Sequence, residues 1–334
     1  MKPVFRISAD GADITPLVSD RLIELQLTDK PGLESDTFQI TIDDRDGAVT
    51  LPRRGAALEV FLGYDGAPLT RMGRYVVDTL TYSGTPDNLV IKGKSGDMRG
   101  QGKASRSGHW EGASLASVVA DIAARNGWRA ACSVETVIAR IDQIRESDFN
   151  FITRLARLYD CTAKLANNSL LVQPRQSGRS SSGQVLEIPL LGRGDVSAFR
   201  FTLDDRKVVA AVKVPYRGAD GVQRQVRLAN PDAPSKVAAE HCDRHPQPDE
   251  AAARRVAAAR LAEFNRNSAD VQLDLPGRAD LFAELTVDLQ GFKEGLDGRY
   301  LIDSVTQHYS AGGWTTMVKC NGGAQGKGKA GEGG

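Results

Sequence analysis

The feature that most constrains the fold is a repeat within the chain. Residues 73–81, GRYVVDTLT, match residues 298–306, GRYLIDSVT, and share the Gly, Arg, Tyr, Asp and Thr positions. Two further matches lie upstream in the same order: 58–63 with 285–291, and 38–45 with 199–206. Apolar and polar residues alternate in these segments, as they do in half-buried strands. The repeat therefore predicts two similar antiparallel β-domains, each a barrel or sandwich.

Helical spacing interrupts the strand pattern and divides the chain into units. It predicts a small α/β module between the two β-domains, within a fold that is mainly β with α+β character. Gly-, Ser- and Lys-rich tracts mark two further segments, because they cannot bury an apolar core. The predicted units are a first β-barrel over 1–100, the α/β module over 103–176, a flexible linker or loop over 177–184, a second β-barrel over 185–322 with an inserted helix at about 249–266, and a disordered tail over 323–334.

Two serines mark the predicted starts of helices in the α/β module. Ser114 precedes an apolar series with helical spacing, and Ser147 precedes a second one. The charge of Asp148 suits the first turn of that second helix, where it meets the positive end of the helix dipole. Asn167 and Asn168 then predict the turn of a β-hairpin.

Charge and composition exclude several classes of protein. The chain has 43 Lys and Arg against 42 Asp and Glu, so its formal net charge of +1 creates no field that gathers nucleic acid. Four scattered Cys form no CxxC pair, which argues against a disulfide framework or a four-thiolate zinc site. The N-terminus does not read as a secretory signal, and no apolar run is long enough for a spanning helix. We therefore expect synthesis in the cytoplasm and no specific binding of nucleic acid.

The standard catalytic motifs are absent from the sequence, but one pair of carboxylates is compatible with an enzymatic function. Glu146 and Asp148 lie two residues apart, and glycoside cleavage uses two acids that flank one bond. A peptidoglycan-hydrolysing tail enzyme is therefore the alternative. A helix N-terminus explains the same acids, since it favours negative charge. We predict no catalytic and no cofactor-binding residue.

Metal-ligand spacing occurs at Cys242 and His245, which could supply two ligands of a zinc site. A closed zinc site needs four ligands and no second pair is present, so we predict no metal site, although binding at this pair stays open. The acidic pairs at 43–44 and 204–205 each end a predicted strand before a turn. We interpret them as turn formers rather than as metal ligands.

Three stretches of the sequence carry a resemblance to a known family. They are DTFQITIDDRDG at 36–47 with GRYVVD at 73–78, ESDFNFI at 146–152 followed by RLA, and GRYLIDSVTQHY at 298–309 followed by GWTT. With these motifs the chain resembles the late control protein D family of contractile-tailed phages and phage-tail-like bacteriocins. The resemblance extends from near residue 1 to about residue 321. The ESDFNF helix is also similar, more distantly, to the hub portion of type VI secretion spike proteins.

The resemblance implies a structural baseplate hub rather than an enzyme. It implies a homotrimer in which two tube-like barrels per chain form a pseudo-hexameric ring around a lumen, with the α/β module outside. Such a ring adapts the six-fold tail tube to the three-fold spike and transmits the force of contraction. The implied partners are the central spike protein and the tail tube protein, extending to the tape-measure and baseplate wedge proteins, and in a phage the lumen lies on the path of the DNA.

The resemblance also implies assembly in the bacterial cytoplasm and a final place in a virion or a phage-tail-like particle. It does not distinguish a phage from a bacteriocin (tailocin). A free carbohydrate-binding β-protein is a further hypothesis, and it requires exposed aromatic platforms. The chain has only 3 Trp and 7 Tyr, and Tyr75 and Tyr300 are predicted core positions of the repeat.

Overall fold

The chain folds into a mainly β structure, as predicted. A computed structural model describes residues 1–33, 35–95, 102, 104–166, 168–180 and 184–327. The first elements are β1 (Pro3–Ala9), β2 (Ala12–Asp13), α1 (Thr15–Val18), β3 (Leu22–Asp29), β4 (Thr37–Asp43), β5 (Ala57–Tyr64), β6 (Thr70–Ser83) and β7 (Asn88–Lys94). The middle elements are β8 (Ser105–Ser114), α2 (Leu115–Arg125), β9 (Arg129–Cys132), β10 (Val137–Ser147), α3 (Asp148–Leu158), β11 (Cys161–Ala166) and β12 (Ser169–Pro174). The last elements are β13 (Leu190–Gly192), β14 (Ala198–Leu203), β15 (Ala211–Arg217), β16 (Gln223–Ala229), β17 (Glu240–Cys242), α4 (Glu250–Arg266), β18 (Ala269–Pro276), β19 (Thr286–Gln290), β20 (Gly298–Ser310) and β21 (Gly313–Asn321).

One 13-stranded sheet joins the two ends of the chain. Its strand order is β14-β18-β21-β20-β3-β4-β7-β6-β5-β1-β2, with β19 paired to β20 and β13 paired to β19. We call β1–β7 the first sheet copy, and β13, β14 and β18–β21 the second sheet copy. Alternation builds their cores: in β4, Phe38, Ile40 and Ile42 are buried while the residues between them lie on the opposite face. Each sheet copy has a separate hydrophobic core.

The two GRY segments occupy equivalent strands, β6 and β20. Gly73 pairs with Val60 of β5 and Gly298 with Leu289 of β19, so the match of 58–63 with 285–291 finds equivalent strands but is two residues out of register. Both strands carry a β-bulge at the aspartate of the repeat, which is Asp78 in β6 and Asp303 in β20. The duplication inferred from this motif is therefore confirmed, down to the residue at which the ladder is interrupted.

The third match of the repeat, 38–45 with 199–206, is wrong. Residues 38–43 lie in β4, which pairs with β7 and β3, whereas the segment from 199 begins in β14, an outer strand that pairs with β18. The strand equivalent to β4 is β18, which pairs with β21 and β14. Period-two alternation is shared by all half-buried strands, so a short alternating match does not identify equivalent strands.

The insertion in the second sheet copy is larger than the predicted helix. α4 begins at Glu250, after Asp249 accepts a hydrogen bond of 2.8 Å from the Ala252 N–H as the N-cap. The same insertion contains the three-stranded sheet β16-β15-β17 and has its own core, which includes Val212 and Val256. It lies between β14 and β18, at the position of the short connection between β3 and β4 in the first sheet copy.

The α/β module folds around α2 and α3. Ser114 and Ser147 cap these helices by accepting hydrogen bonds of 3.0 and 3.2 Å from the N–H groups of Ser117 and Asn150. Both helices pack with β8–β12 around one core. β11 and β12 form the predicted hairpin, in which Asn168 has a φ of 57°, while Asn167 lies outside the described residues.

Residues 323–327 correct the predicted start of the disordered tail. The Ala324 N–H donates to Gln176 Oε1 at 2.6 Å, and the Lys327 N–H donates to Ser268 Oγ at 2.8 Å. These bonds hold the segment against Gln176, which follows β12, and Ser268, which precedes β18, and the rest of the predicted tail, 328–334, lies outside the described residues. In the predicted linker, Arg179 pairs with Val185 in a β-bridge, while residues 181–183 lie outside the described part. None of the helices in the described residues is long and apolar enough to cross a membrane.

Candidate assembly interface

The two sheet copies meet edge to edge where β3 pairs with β20. The antiparallel ladder runs from the pair Asp29–Val305 to the pair Glu24–Ser310. The hydroxyl oxygens of Thr28 and Thr306, which lie opposite each other, are 3.4 Å apart. We call this β3–β20 ladder the internal junction. Main-chain hydrogen bonds therefore continue from one sheet copy into the other.

β20 reaches two neighbours on one edge because it is longer than β19. Its first residues, up to Leu301, pair with β19. Beyond the bulge at Asp303, the residues from Val305 onwards pair with β3 on the edge that β19 leaves free. The opposite edge of β20 pairs with β21. The length of β20 thus produces the internal junction.

The end of the β20–β21 hairpin packs into the core of the first sheet copy. Trp314 is 5% exposed there, with its ring centroid 5.2 Å from that of Tyr64. The indole N–H of Trp314 donates to Gln307 Oε1 at 2.8 Å, so the polar atom of the ring is satisfied. Gly277 has no side chain at the point where an added Cβ would lie 2.0 Å from the Trp314 ring. Side-chain packing therefore reinforces the internal junction.

Asp29 connects three parts of the chain at the end of the internal junction. Its carboxylate accepts hydrogen bonds of 2.7 Å from Lys164 Nζ of the α/β module and 2.7 Å from the Ala283 N–H of the second sheet copy. Asp36 lies 3.3 Å from the same ammonium. Burial raises the pKa of Asp36 to about 6, with Lys164 opposing the change and the charge of Asp29 adding to it.

Among the described residues, two of the strand edges without a partner lie on β14 and on the end of β6. Within the residues that the structure describes, β14 pairs only with β18, and its other edge has no partner strand. Likewise, in that part of the chain, the last residues of β6 pair only with β7, because β5 reaches no further than Val76. Both edges display aromatic side chains, with Phe199 43% and Tyr82 53% exposed. An open apolar strand edge is a template for pairing with another strand.

The carboxylates of the alternative enzyme hypothesis are engaged in structural contacts. Asp148 is fully buried at the start of α3 and accepts hydrogen bonds from Arg125, Asn126 Nδ2 (2.7 Å) and Gln143 Nε2 (2.9 Å). Glu146 pairs with Arg154 of α3. Asp148 thereby ties α2, β10 and α3 together, as a buried charge must be paired and hydrogen-bonded. Both carboxylates are therefore engaged in contacts within the α/β module.

The other sequence candidates also have local roles or none. Cys242 is exposed beside His245 in an open cavity of 460 Å³ that α4 also lines. Among the described residues, no group of three or more His, Cys, Asp and Glu side chains could hold a metal ion. Asp43 and Asp204 accept hydrogen bonds of 3.1 Å from the N–H groups of Arg45 and Arg206, the pattern of turn-forming residues. The side chain of Asp205 lies outside the description.

Sequence reasoning missed both the internal junction and the open edges. Pairing between distant strands leaves no trace in local alternation, so β3–β20 could not be read from either segment. One sequence signal for the open edge was available: Phe199 and Phe201 put two large aromatic residues on one face of a short predicted strand. The Asp29–Lys164 contact joins residues far apart in the chain and had no sequence signal.

The chain is similar to known proteins in both sequence and fold. The family model described as "Phage tail baseplate hub (GPD)" matches residues 31–313. The chain is 31% identical, over 96% of its length and 92% of the relative's, to a probable baseplate hub protein of Escherichia phage 186. The tail protein of prophage MuSo2 from Shewanella oneidensis has a similar fold, with a TM-score of 0.71, 15% identity, and 95% and 98% of the two chains covered. A component of the E. coli type VI secretion system is a more distant match, with a TM-score of 0.56, 12% identity, and 96% of this chain and 76% of that chain covered.

Proposed function

The chain belongs to the phage tail baseplate hub (GPD) family, and we propose that it acts there as a homotrimer whose six sheet copies form a pseudo-hexameric ring. The structural role in the baseplate of a phage tail follows from the family, as expected from the resemblance. The trimer, the ring and the mechanical role are our proposal. We also propose the three-unit division of the chain into two β-domains and the module between them.

The internal junction is the observation that supports the ring. Two matched sheet copies lie side by side in one continuous sheet rather than back to back, so one chain already has the geometry of two adjacent ring segments. An open edge remains at each of β14 and β6 in the described part of the chain. A head-to-tail contact of this kind closes into a ring when the rotation between units fits. Three chains then supply six similar segments.

Such a ring would match the tail tube on one side and the spike on the other. Six similar sheet copies suit a six-fold tube protein, while three chains suit a three-fold central spike. Load would pass through a continuous ladder of main-chain hydrogen bonds, so contraction would be transmitted without large rearrangement. Tape-measure and baseplate wedge proteins are further proposed neighbours, and in a phage the lumen would carry the DNA. We propose assembly in the bacterial cytoplasm.

A non-enzymatic role is part of the proposal. Asp148 and Glu146 are both held by arginines of their own module, and Asp148 is fully buried. The separate actions of an acid and a nucleophile need groups that face the substrate. Wall cleavage by the assembled particle would therefore belong to another subunit.

Light scattering of the full-length protein tests the trimer. We expect three times the mass of the chain, either alone or in the presence of the neighbouring spike and tube proteins. A protein that remains monomeric under all of these conditions would contradict the proposed ring. A cell-wall lysis assay of the same sample tests the enzyme alternative: lysis that is lost in Glu146→Gln would support it, and no lysis by the wild type would remove it.

A further inference from the structure

We propose that β14 of one chain pairs with the C-terminal half of β6 of a second copy of this chain, antiparallel and in the register of the internal junction. This interface deepens the proposed trimer and rests on it. The partner of the open β14 edge would be the open β6 edge of an identical chain. The ladder would place Thr202 opposite Thr81, and Phe201 opposite Tyr82.

The first step is the equivalence of β6 and β20. Each strand pairs on one edge with the strand before it in the sheet copy, Gly73 with Val60 of β5 and Gly298 with Leu289 of β19. After the bulge, Leu80 and Val305 occupy the same place opposite Ile91 of β7 and Val318 of β21. The part of β20 that pairs with β3 therefore corresponds to the part of β6 that is open among the described residues.

The second step is the equivalence of β3 and β14. Ile40 of β4 pairs with Ile91, and Leu273 of β18 pairs with Val318, so Ile40 and Leu273 are counterparts. Leu25 of β3 lies opposite Ile40, and Phe199 of β14 lies opposite Leu273. β14 thus has the place in the second sheet copy that β3 has in the first.

The register of the internal junction predicts the register between β14 and β6 of two chains. In the internal junction, Thr28 lies opposite Thr306 and Leu27 lies opposite Gln307. The counterparts of Thr28 and Thr306 are Thr202 and Thr81, so a threonine pair recurs on the proposed interface. The counterparts of Leu27 and Gln307 are Phe201 and Tyr82, which would form an aromatic pair across the proposed interface. Cross-strand threonine pairs and aromatic pairs both stabilise a sheet.

The surface chemistry of the two edges fits this contact. Phe199 is 43% exposed, whereas its counterpart Leu25, which packs in the core of the first sheet copy, is 1% exposed. Tyr82, at 53% exposure, is held by a hydrogen bond of 2.8 Å from its hydroxyl to Asp87 Oδ2 and so is ordered before any partner arrives. In the proposed register Phe199 would lie opposite Gly84, one residue beyond the end of β6, and Phe201 would lie opposite Tyr82. Ordered aromatic anchors at an interface lose little entropy on binding.

Disulfide cross-linking tests the interface and its register. The pair Thr81→Cys and Thr202→Cys is introduced into one full-length chain in which Cys132 and Cys242, the two cysteines that are not buried, are replaced by Ser. Residues directly opposite in an antiparallel ladder have Cβ atoms about 4.5–5.5 Å apart, close to disulfide range. After mild oxidation, we expect covalent dimers and trimers on a non-reducing gel. A matched variant with Thr28→Cys and Thr306→Cys should form only an internal disulfide and stay at the mass of one chain.

The outcomes separate the interface from the ring itself. A trimer by light scattering that gives no intermolecular cross-link would overturn the β14–β6 pairing and leave the proposed trimer standing on other contacts. A chain that is monomeric even with its spike and tube neighbours would overturn both. Covalent dimers formed by Thr202→Cys alone would indicate pairing of β14 with itself, which also overturns the proposal.

A substitution test uses two exposed hydrophobic positions of nearly equal exposure. Tyr82→Asp puts a charge on the proposed interface, and Val222→Asp puts one on the β15–β16 hairpin; these residues are 53% and 54% exposed. We expect Tyr82→Asp to reduce the trimer fraction at least tenfold and Val222→Asp to leave it unchanged, with both variants keeping the wild-type circular dichroism spectrum. Equal trimer fractions in the two variants would contradict the proposed interface.

Discussion

β3 and β14 occupy the same place in the two sheet copies but have different neighbours. β3 is covered by β20, and its Leu25 is almost fully buried. β14 has no partner on that edge in the described part of the chain, and its Phe199 is largely accessible. Both strands are amphipathic, and the difference lies in their neighbours: β20 of the second sheet copy pairs with β3, whereas no strand of the described residues pairs with the corresponding edge of β14. A duplicated chain thereby has one satisfied edge and one available edge of the same kind.

The largest expected effect is on the covered side of this comparison. Trp314→Ala removes the side chain that the second sheet copy places in the core of the first, and it leaves a cavity beside Tyr64. We expect the free energy of unfolding to fall by about 3–5 kcal/mol, as for other buried aromatic residues. Chemical denaturation monitored by circular dichroism measures it. A loss below about 1 kcal/mol would show that the packing at the internal junction contributes little.

The charged end of the internal junction should make stability depend on pH. Burial raises the pKa of Asp36 to about 6, above the ordinary value of an aspartate, so between about pH 4 and pH 6 the folded state keeps a proton that the unfolded state has lost. Stability should therefore fall as pH rises through this window, by on the order of 2 kcal/mol. The counterpart residue in the second sheet copy is Ala269, which has no charge to titrate.

Asp36→Asn should remove this pH dependence. Thermal or denaturant unfolding of the wild type and the variant at several pH values between 4 and 7 provides the measurement. Parallel stability curves for the two proteins would mean that Asp36 does not control the effect. The variant leaves Asp29 and Lys164 in place, so it removes the titrating carboxylate of Asp36 while the hydrogen bond of 2.7 Å between Lys164 and Asp29 can still form.

The open side of the comparison should respond weakly in the isolated chain. Phe199→Ala removes a partly exposed ring that contacts Phe292 and Arg193, and we expect it to lower the free energy of unfolding by about 1 kcal/mol. Leu25→Ala, at the buried counterpart, should cost about 2–5 kcal/mol. Denaturation of both variants at low protein concentration compares them. Similar costs at the two positions would show that Phe199 is packed as tightly as Leu25 in the isolated chain.

The smallest effect is expected at the exposed rim of the internal junction. His308 Nε2 lies 3.2 Å from Glu24 Oε1, and both side chains are accessible to solvent. Glu24→Gln should therefore change the free energy of unfolding by less than about 1 kcal/mol. The counterpart positions in the second sheet copy and β6 are Ala198 and Ser83, which form no such pair. A change above 2 kcal/mol at Glu24 would mean that this rim is a main contributor to the contact between the sheet copies.

Local sequence signals predicted the parts of the fold that depend on local physics. The GRY repeat identified β6 and β20, and Ser114, Ser147 and Asp249 lie at the predicted starts of helices. The resemblance to the hub family was also confirmed by the family match. The alternating pattern failed where it had to distinguish one strand from another, as in the match of 38–45 with 199–206. Glycine and lysine content overestimated disorder at 323–327, because backbone hydrogen bonds to Gln176 and Ser268 do not depend on apolar side chains.

The candidate interface depended on information that no local pattern contains. Pairing of β3 with β20 brings together residues that are 278 positions apart at the Thr28–Thr306 contact. Alternation tells which face of a strand is buried, and it says nothing about which edge is covered. The open edges at Phe199 and Tyr82 therefore became visible only when the order of strands in the sheet was known.

The unequal lengths of β6 and β20 have a consequence for how the proposed ring would come apart. The internal junction contains six residue pairs, from Asp29–Val305 to Glu24–Ser310. β6 ends at Ser83, so the same register leaves about four pairs between chains, from Leu80 to Ser83. In a ring in which long and short ladders alternate, the short ladders have fewer hydrogen bonds and would break first. Damage would then separate intact chains that can close again, and the fracture lines would coincide with the boundaries at which the ring was assembled.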